Sequence, residues 1–374
     1  MEATKNKKVL ISGASIAGLT TAYLMNQLGY QVTIVEIASE LRVNGTPVNI
    51  EGEALALAKR MGIVEQIKAN RLKLERIEYK NADDSTENAI QLDTESSEQA
   101  DENIEIERET FLRILYTALT GDVEIIFDNR ITSLIESQEA IKATFKTGSE
   151  HSFDLVLGCD GSHSGVRKLW FGDEKHYTHF LGLYFSITIV PQLLVQQGTL
   201  QLYNVPDKAI MLNAYQGKTD VTFCFFSEKE ISYDYRDTDQ QRKCIVDQFK
   251  GEGWRTPELL EAMQRSEGFY FDKLCQIKMP SWTKGRVALI GDAAYCASPA
   301  AGKGGTLAMM GGGALADALE KHNGDYQIAF DAYNQGLRSF VEEVQAEAKE
   351  NVTKYLVPRT HEGIRERNEG RFFE

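Results

Sequence analysis

The stretch from Lys8 to Glu36 constrains this chain most. An apolar run (KVLIS) leads into a glycine-rich hexapeptide (GASIAG, Gly13 to Gly18), a helical segment ended by Gly29, and a second apolar run (QVTIV) closed by an acid. Strand, tight turn, helix and strand in that order make a βαβ unit, which forces two parallel strands and a crossover helix. The pattern predicts strands at 8–12 and 31–35 and a helix over 19–28. Such a turn points backbone N–H groups and a helix N-terminus at an anion, while Glu36 can accept hydrogen bonds from a ribose diol. Gly13, Ser15, Ile16, Ala17, Gly18 and Glu36 are therefore the first candidate binding residues. Ser15 replaces the middle glycine of the fingerprint. The motif alone leaves three readings open: a bare βα turn, FAD or NAD.

Composition narrows the partners. The 374 residues carry a formal charge of −14, which argues against a protein devoted to nucleic acid or anionic lipid. An anionic cofactor must then be held locally, by N–H groups and a few arginines. Lys5, Lys7 and Lys8 ahead of an apolar run resemble a signal peptide, but Gly13, Ser15 and Gly18 interrupt that run. No other segment approaches the ~18 apolar residues of a membrane span. The cysteines are odd in number, widely spaced and without a CxxC, so a reducing cytoplasm is expected. His176 and His179 form an HxxH with no recognisable third ligand, so no metal is expected.

Further along, 53–70 reads as helical, 80–104 as a polar surface excursion or hairpin, and Glu109 to Leu119 as a helix. Short strands are predicted near 123–127 and 140–146, and a buried one at Asp154 to Gly158. From 178 to 226 longer alternating, aromatic-rich runs (LGLYFSITIV, TLQLYNV, VTFCFF) predict an antiparallel sheet, with sheet character lost after Ser227 and helices at 239–250 and 257–264. Strand and glycine-loop chemistry resumes at 286–306. Apolar residues spaced three and four apart from Tyr326 to Leu356 predict one long amphipathic helix, read as a strut across both domains in preference to a coiled-coil dimerisation arm because the stripe breaks at Lys349 to Asn351. The expected fold is α/β: a discontinuous Rossmann-like domain (1–78, 103–177, 280–322), an inserted antiparallel-sheet substrate domain (79–102, 178–279), and a C-terminal bridging helix and tail (323–374).

Two later motifs carry a resemblance. Residues 154–167 read DLVLGCDGSHSGVR, a buried strand ending in Asp160 and Gly161 with Arg167 following, and residues 286–306 read RVALIGDAAYCASPAAGKGGT, a strand, Gly-Asp, a proline and a glycine-rich turn. Taken with GASIAG, this order resembles the single-component aromatic hydroxylases, the class A FAD-dependent monooxygenases. The short chain and the stretch QIKMPSWTKGRVALIGDAAYCASP look most like the tetracycline-inactivating members.

The resemblance implies a tightly but non-covalently bound FAD, NADPH as transient electron donor, and molecular oxygen as co-substrate. It implies cofactor contacts from Asp160, Gly161 and Arg167, from Asp292, from Pro299 and the turn Gly302, Gly304, Gly305 and Thr306, and from Arg42 and Arg108. Catalysis would be driven by the flavin, with no catalytic side chain named. The substrate would be a small aromatic or polycyclic molecule, with tetracycline inactivation, an antibiotic-resistance activity, as a candidate. Tyr203, Met211, Phe223 and Phe225, with Phe185 and Tyr215, are candidate pocket residues, or else alternate residues filling the sheet's core. The chain is expected to be a cytoplasmic monomer. Besides Ser15, it departs from the family at Ile37, Glu51 (often Arg), Lys303 (often Gln) and Thr306 (often Asn), and Gly311 to Gly313 imply close packing inside a helix. A reductase or dehydrogenase on the same scaffold, or a non-catalytic FAD-fold binding protein, are the rival readings. The absence of a WxWxIP stretch lowers a third, a halogenase.

Overall fold

A computed structural model of the chain describes residues 6–41, 45–92, 102–119 and 123–370, so Arg42 lies outside the described residues. The chain opens with β1 (Lys8–Ser12), α1 (Ile16–Gln27) and β2 (Gln31–Val35), followed by β3 (Val48–Glu51), α2 (Glu53–Arg60) and α3 (Val64–Ala69). β4 (Arg76–Lys80) and β5 (Thr86–Gln91) form a hairpin that begins ahead of the 80–104 excursion expected from sequence, whose residues 93–101 lie outside the described residues; β6 (Asn103–Ile106), α4 (Arg108–Ala118) and β7 (Val123–Ile126) follow. A meander of β8 (Ile131–Glu136), β9 (Ile141–Phe145) and β10 (Glu150–Phe153) leads to β11 (Leu155–Gly158) and α5 (Gly165–Trp170).

Four long strands come next: β12 (Thr178–Val190), β13 (Thr199–Val205), β14 (Lys208–Tyr215) and β15 (Lys218–Phe226). After α6 (Thr238–Phe249) and α7 (Thr256–Arg265), β16 (Phe269–Ile277) returns to pair antiparallel with β12, so sheet character is not lost for good at Ser227. The chain then runs through β17 (Thr283–Lys284), β18 (Val287–Leu289), α8 (Asp292–Tyr295), α9 (Gly304–Lys321), α10 (Tyr326–Asn351) and α11 (His361–Asn368).

Among the described residues one sheet has the order β17-β18-β11-β1-β2-β7, parallel except at β17, and a second has the order β16-β12-β15-β14-β13-β4-β5. The first is mixed into the helices: Val9, Leu10 and Ile11 are fully buried, as both faces of a parallel sheet must be. α1 begins three residues before the predicted start, because Ser15 already adopts the extended conformation of an N-cap.

The second sheet separates two cores. One face packs on α6 and α7 through Phe223, Phe225, Phe249 and Trp254. The other, carrying Phe185, Cys224 and Leu274, packs on Ala300 and on Ala348 of α10. Asp325 caps α10 by accepting from Gln327 and Ile328 N–H, and the buried stripe Phe330, Tyr333, Leu337, Val341, Val344 and Ala348 makes the helix the strut expected. Trp282, 1% exposed, is held between Tyr295 and Tyr333 with ring centroids 4.6 and 5.6 Å away. Truncating such a side chain to alanine costs roughly 3–5 kcal/mol. No helix among the described residues is long and apolar enough to cross a membrane.

The tail, unassigned from sequence, is a docked helix. Arg367 of α11 is 2% exposed, donates to Asn204 Oδ1 (2.9 Å) and Tyr355 O (3.1 Å), and lies over the Tyr79 ring.

Candidate active site

β1 has β2 on one side and β11 on the other, so the connections leaving their carboxyl ends run to opposite sides and a crevice opens between them. There the structure has a cleft of about 730 Å³. Of the residues expected from sequence it is lined by Gly13, Ser15, Ile16, Ala17, Glu36, Arg108, Asp160, Gly161, Asp292, Pro299, Gly302, Gly304 and Gly305.

The first turn is fixed by contact. Gly13 has φ +102°, and a Cβ there would lie 2.6 Å from Cys159 O. Its N–H donates to Val35 O at 2.8 Å, and Ala14 N–H donates to Glu36 Oε2 at 2.8 Å, so the acid at the end of β2 is tied to the turn after β1. Ser15 has φ −99°, an ordinary conformation for an L-residue, and its hydroxyl donates to Cys159 O at 3.2 Å. The departure at the middle glycine is therefore accommodated by the backbone. Gly18 lies behind the cleft, where a Cβ would be 1.9 Å from Gly13 O; it closes the turn without facing the space.

Asp160 accepts from Ser164 Oγ, from Val166 N–H at 3.0 Å and from Ser12 Oγ at 3.3 Å. Burial nevertheless pushes its carboxyl above the usual range. Arg167 does not line the cleft. It is fully buried, donates to Ala293 O at 2.8 Å and to Ser162 O, and so clamps the loop after β11 onto α8. Thr306 is also turned away: its hydroxyl donates to Asn49 O (3.0 Å) and accepts from Glu51 N–H (3.2 Å).

Arg108 and Asp292 form the electrostatic centre. Asp292 is exposed, and it opens onto the cleft while protein surrounds it; enclosure pushes its carboxyl up, opposed by Arg108. Burial lowers Arg108, opposed by Asp292 and Tyr270, but a guanidinium stays charged at any ordinary pH. Gly304 and Gly305 are the first residues of the 18-residue α9, so a helix N-terminus with its positive partial charge faces the same space. Gly311 and Gly312 serve packing instead: added Cβ atoms would lie 1.8 Å from Tyr295 Oη and 2.7 Å from Thr21 Oγ1.

Several lining residues were not expected: Asn129, Arg130, His163 and Tyr235. His163 stood inside the DGSHSGVR run without being singled out, because its partners are remote in sequence. Its Nε2 is 3.2 Å from Asp272 Oδ2 on β16 and its Nδ1 is 3.0 Å from Glu174 Oε1. These partners, Asp272 first, raise the imidazole to about 10. Arg130 follows Asn129, whose N–H donates to Glu36 O at 2.9 Å, which places a second cation at the Glu36 end.

The proposed pocket residues divide by strand parity. Tyr203, Phe223 and Phe225 sit in the core against α6 and α7, on the face away from the cleft, and are removed from the candidate pocket. Met211 and Phe185 point to the other face, with Ala300 and Ala301 of the turn after Pro299. On that face the register aligns Met211, Thr222, Ile187 and Tyr270 in one cross-strand row, none of them buried. Tyr215 is buried and donates to both carboxylate oxygens of Asp220, at 3.0 and 3.1 Å. His176 and His179 are both exposed. Cys159 and Cys296 are buried, and burial raises both thiols.

Residues 6–353 match the family described as FAD binding domain. A flavin-dependent monooxygenase from an unknown prokaryotic organism is 35% identical over 340 residues, covering 91% of this chain and 87% of the relative. The crystal structure of tetracycline destructase Tet(51) superposes with a TM-score of 0.86 at 34% identity, covering 98% of this chain and 95% of the other. That of tetracycline destructase Tet(55) does so with a TM-score of 0.87 at 32% identity and the same coverage.

Proposed function

From the premise that this chain belongs to the FAD-binding-domain family and is a class A flavin monooxygenase, we propose that it is an NADPH- and oxygen-dependent hydroxylase of a small polycyclic or aromatic molecule, with tetracyclines as the first class to test. The observation that carries the substrate reading is the unburied row of Met211, Thr222, Ile187 and Tyr270 on the face of the second sheet that packs beside the turn after Pro299. Ile187 and Met211 pack only in part against the cluster that holds Ala300, and Tyr270 is half exposed, which leaves surface for a flat ligand beside the cofactor.

The cleft fits FAD on the protein's own terms. The turn at Gly13 admits backbone but no side chain, which suits the close approach of a pyrophosphate. Ser15, Ile16 and Ala17 would hold the phosphates at the start of α1, Glu36 the ribose, Asp160, Gly161 and Asp292 the ribityl side, and Pro299, Gly302, Gly304 and Gly305 the ring. Arg42 belongs to this set by resemblance alone. Arg167, Gly18 and Thr306 act one layer back, by holding the loops that bear these groups. When bound, FAD supplies the redox and oxygen-activating chemistry. The chain orients the substrate against the ring, excludes water, and places Arg108 and the N-terminus of α9 where negative charge is to be stabilised.

Purified protein incubated aerobically with NADPH and tetracyclines or simple phenols tests this. Substrate-stimulated NADPH oxidation with a product heavier by one oxygen atom is expected. A yellow protein that oxidises NADPH equally with and without them points to the reductase reading; one that binds flavin but never oxidises NADPH points to a binding protein. Gel filtration checks the monomer, which belongs to the same reading, as does the cytoplasm.

A further inference from the structure

The unburied row ends in a tyrosine whose hydrogen is already committed. Tyr270 Oη donates to Asp272 Oδ2 at 2.8 Å, and the same carboxylate oxygen is 3.2 Å from His163 Nε2. Tyr270 is 50% exposed, with its ring 5.8 Å from that of Phe185, on the side of the sheet that faces Ala300. It also lies close enough to Arg108 and Cys296 to be coupled electrostatically to both, and these two line the cleft.

We propose that Tyr270 is a substrate-selecting residue: oriented by Asp272, its hydroxyl oxygen offers a lone pair to a ligand lying between the row and the cleft, and selects ligands that present an O–H or N–H donor at that end. The proposal rests on the monooxygenase reading above. A phenol has one hydrogen to donate, and an ionised carboxylate takes it in preference to any neutral acceptor, since charge-assisted hydrogen bonds are roughly twice as strong as neutral ones. The groups facing Asp272 keep it ionised: His163 from the loop after β11, with Glu174 behind it, and the Lys273 backbone N–H at 2.8 Å. Enclosure of its hydroxyl by surrounding protein, with the Asp272 charge beside it, drives Tyr270 far above its ordinary range although its ring is half exposed, so it stays a neutral phenol. The same arithmetic disfavours a proton relay from substrate through Tyr270 to Asp272, because His163 and the neighbouring donors hold that carboxyl below its usual range. A methyl ether in place of a substrate hydroxyl would then meet a lone pair with a lone pair, and a site built to bond a donor discriminates strongly against its absence.

The test is flavin-absorbance titration of the FAD-loaded protein with tetracycline and with phenols paired to their own methyl ethers. Wild type is expected to bind the hydroxyl member of each pair at least tenfold more tightly. Tyr270→Phe is expected to abolish that preference with unchanged flavin content. Asp272→Asn, which keeps an acceptor oxygen but not its charge, is expected to weaken the preference, and Asp272→Ala, which frees the tyrosine hydrogen to turn toward the cleft, to lose it. Preference that survives Tyr270→Phe overturns the assignment and leaves the monooxygenase reading standing. Failure of wild type to bind any member of the panel overturns the proposed substrate class and the Tyr270 assignment with it.

Discussion

Lys303 Nζ lies 3.7 Å from Glu51 Oε1, so two of the positions read from the sequence as departures meet in space. Glu347 of α10 is on the other side of the lysine at 3.3 Å, and Thr306, a third departure, accepts from the Glu51 N–H. Together these contacts tie the N-terminus of α9 to β3 and α10.

Glu51→Arg alone is therefore expected to weaken the turn at Gly302 to Gly305, because it sets two cations against each other. Both side chains are about a quarter exposed, so the pair contributes no more than about 1 kcal/mol. The double variant Glu51→Arg, Lys303→Gln is expected to recover the loss in a thermal melt. Additive losses in the double variant would show that the two positions are independent.

Gly13→Ala forces a methyl group against Cys159 O in a backbone conformation with φ +102°. Strain of this kind costs of order 1–3 kcal/mol. A lowered melting temperature is expected together with loss of yellow colour after gel filtration. Full retention of flavin would contradict the close-approach reading of this turn.

His163 sets an upper pH limit on the junction between the loop after β11 and β16. Its value of about 10 in the fold exceeds the ordinary 6.5, so the stability it contributes is fully present below 6.5 and is lost as pH rises through about 10. Melting temperature should fall across that window in wild type and fall less in His163→Gln. Parallel curves for the two proteins would remove His163 from the junction.

Asp220 acts in the same direction for a different reason. It is 2% exposed, and desolvation raises its carboxyl from 3.8 to about 7, against the hydrogen bond from Tyr215. Ionising it in the fold is unfavourable, so its contribution to stability is present below 3.8 and is lost as pH rises through about 7. Asp220→Asn is expected to melt higher than wild type at pH 8 and to converge on it at low pH. A variant that melts lower at pH 8 would mean that the ionised carboxylate is held by partners stronger than Tyr215 and Lys218.

What the sequence determined by itself is the nucleotide-binding crevice. β1, the Gly13 turn, α1, β2 and Glu36 are contiguous, and each is dictated by local rules: apolar strand runs, a glycine where φ must be positive, an acid at a strand end. The two later motifs are equally local, and their residues reached the cleft wherever the turn itself was the binding element. The long C-terminal strut was legible because its apolar spacing runs for several turns. Only the tertiary structure decided which face of the second sheet is turned to the Pro299 turn. Alternation separates Phe223 and Phe225 from Thr222 and Cys224, but both sets are apolar enough for a core, and the choice was made when α6 and α7 covered one side. The return of β16 was missed for the same reason: a lone strand after two helices is recognisable only by its partner β12. Arg167, read as a cofactor contact, was turned inward by carbonyls of Ser162 and Ala293 that no local pattern places beside it. The pairs Lys303–Glu51 and His163–Asp272 join residues 252 and 109 positions apart, and interactions between such distant charges exist only once the chain has folded them together.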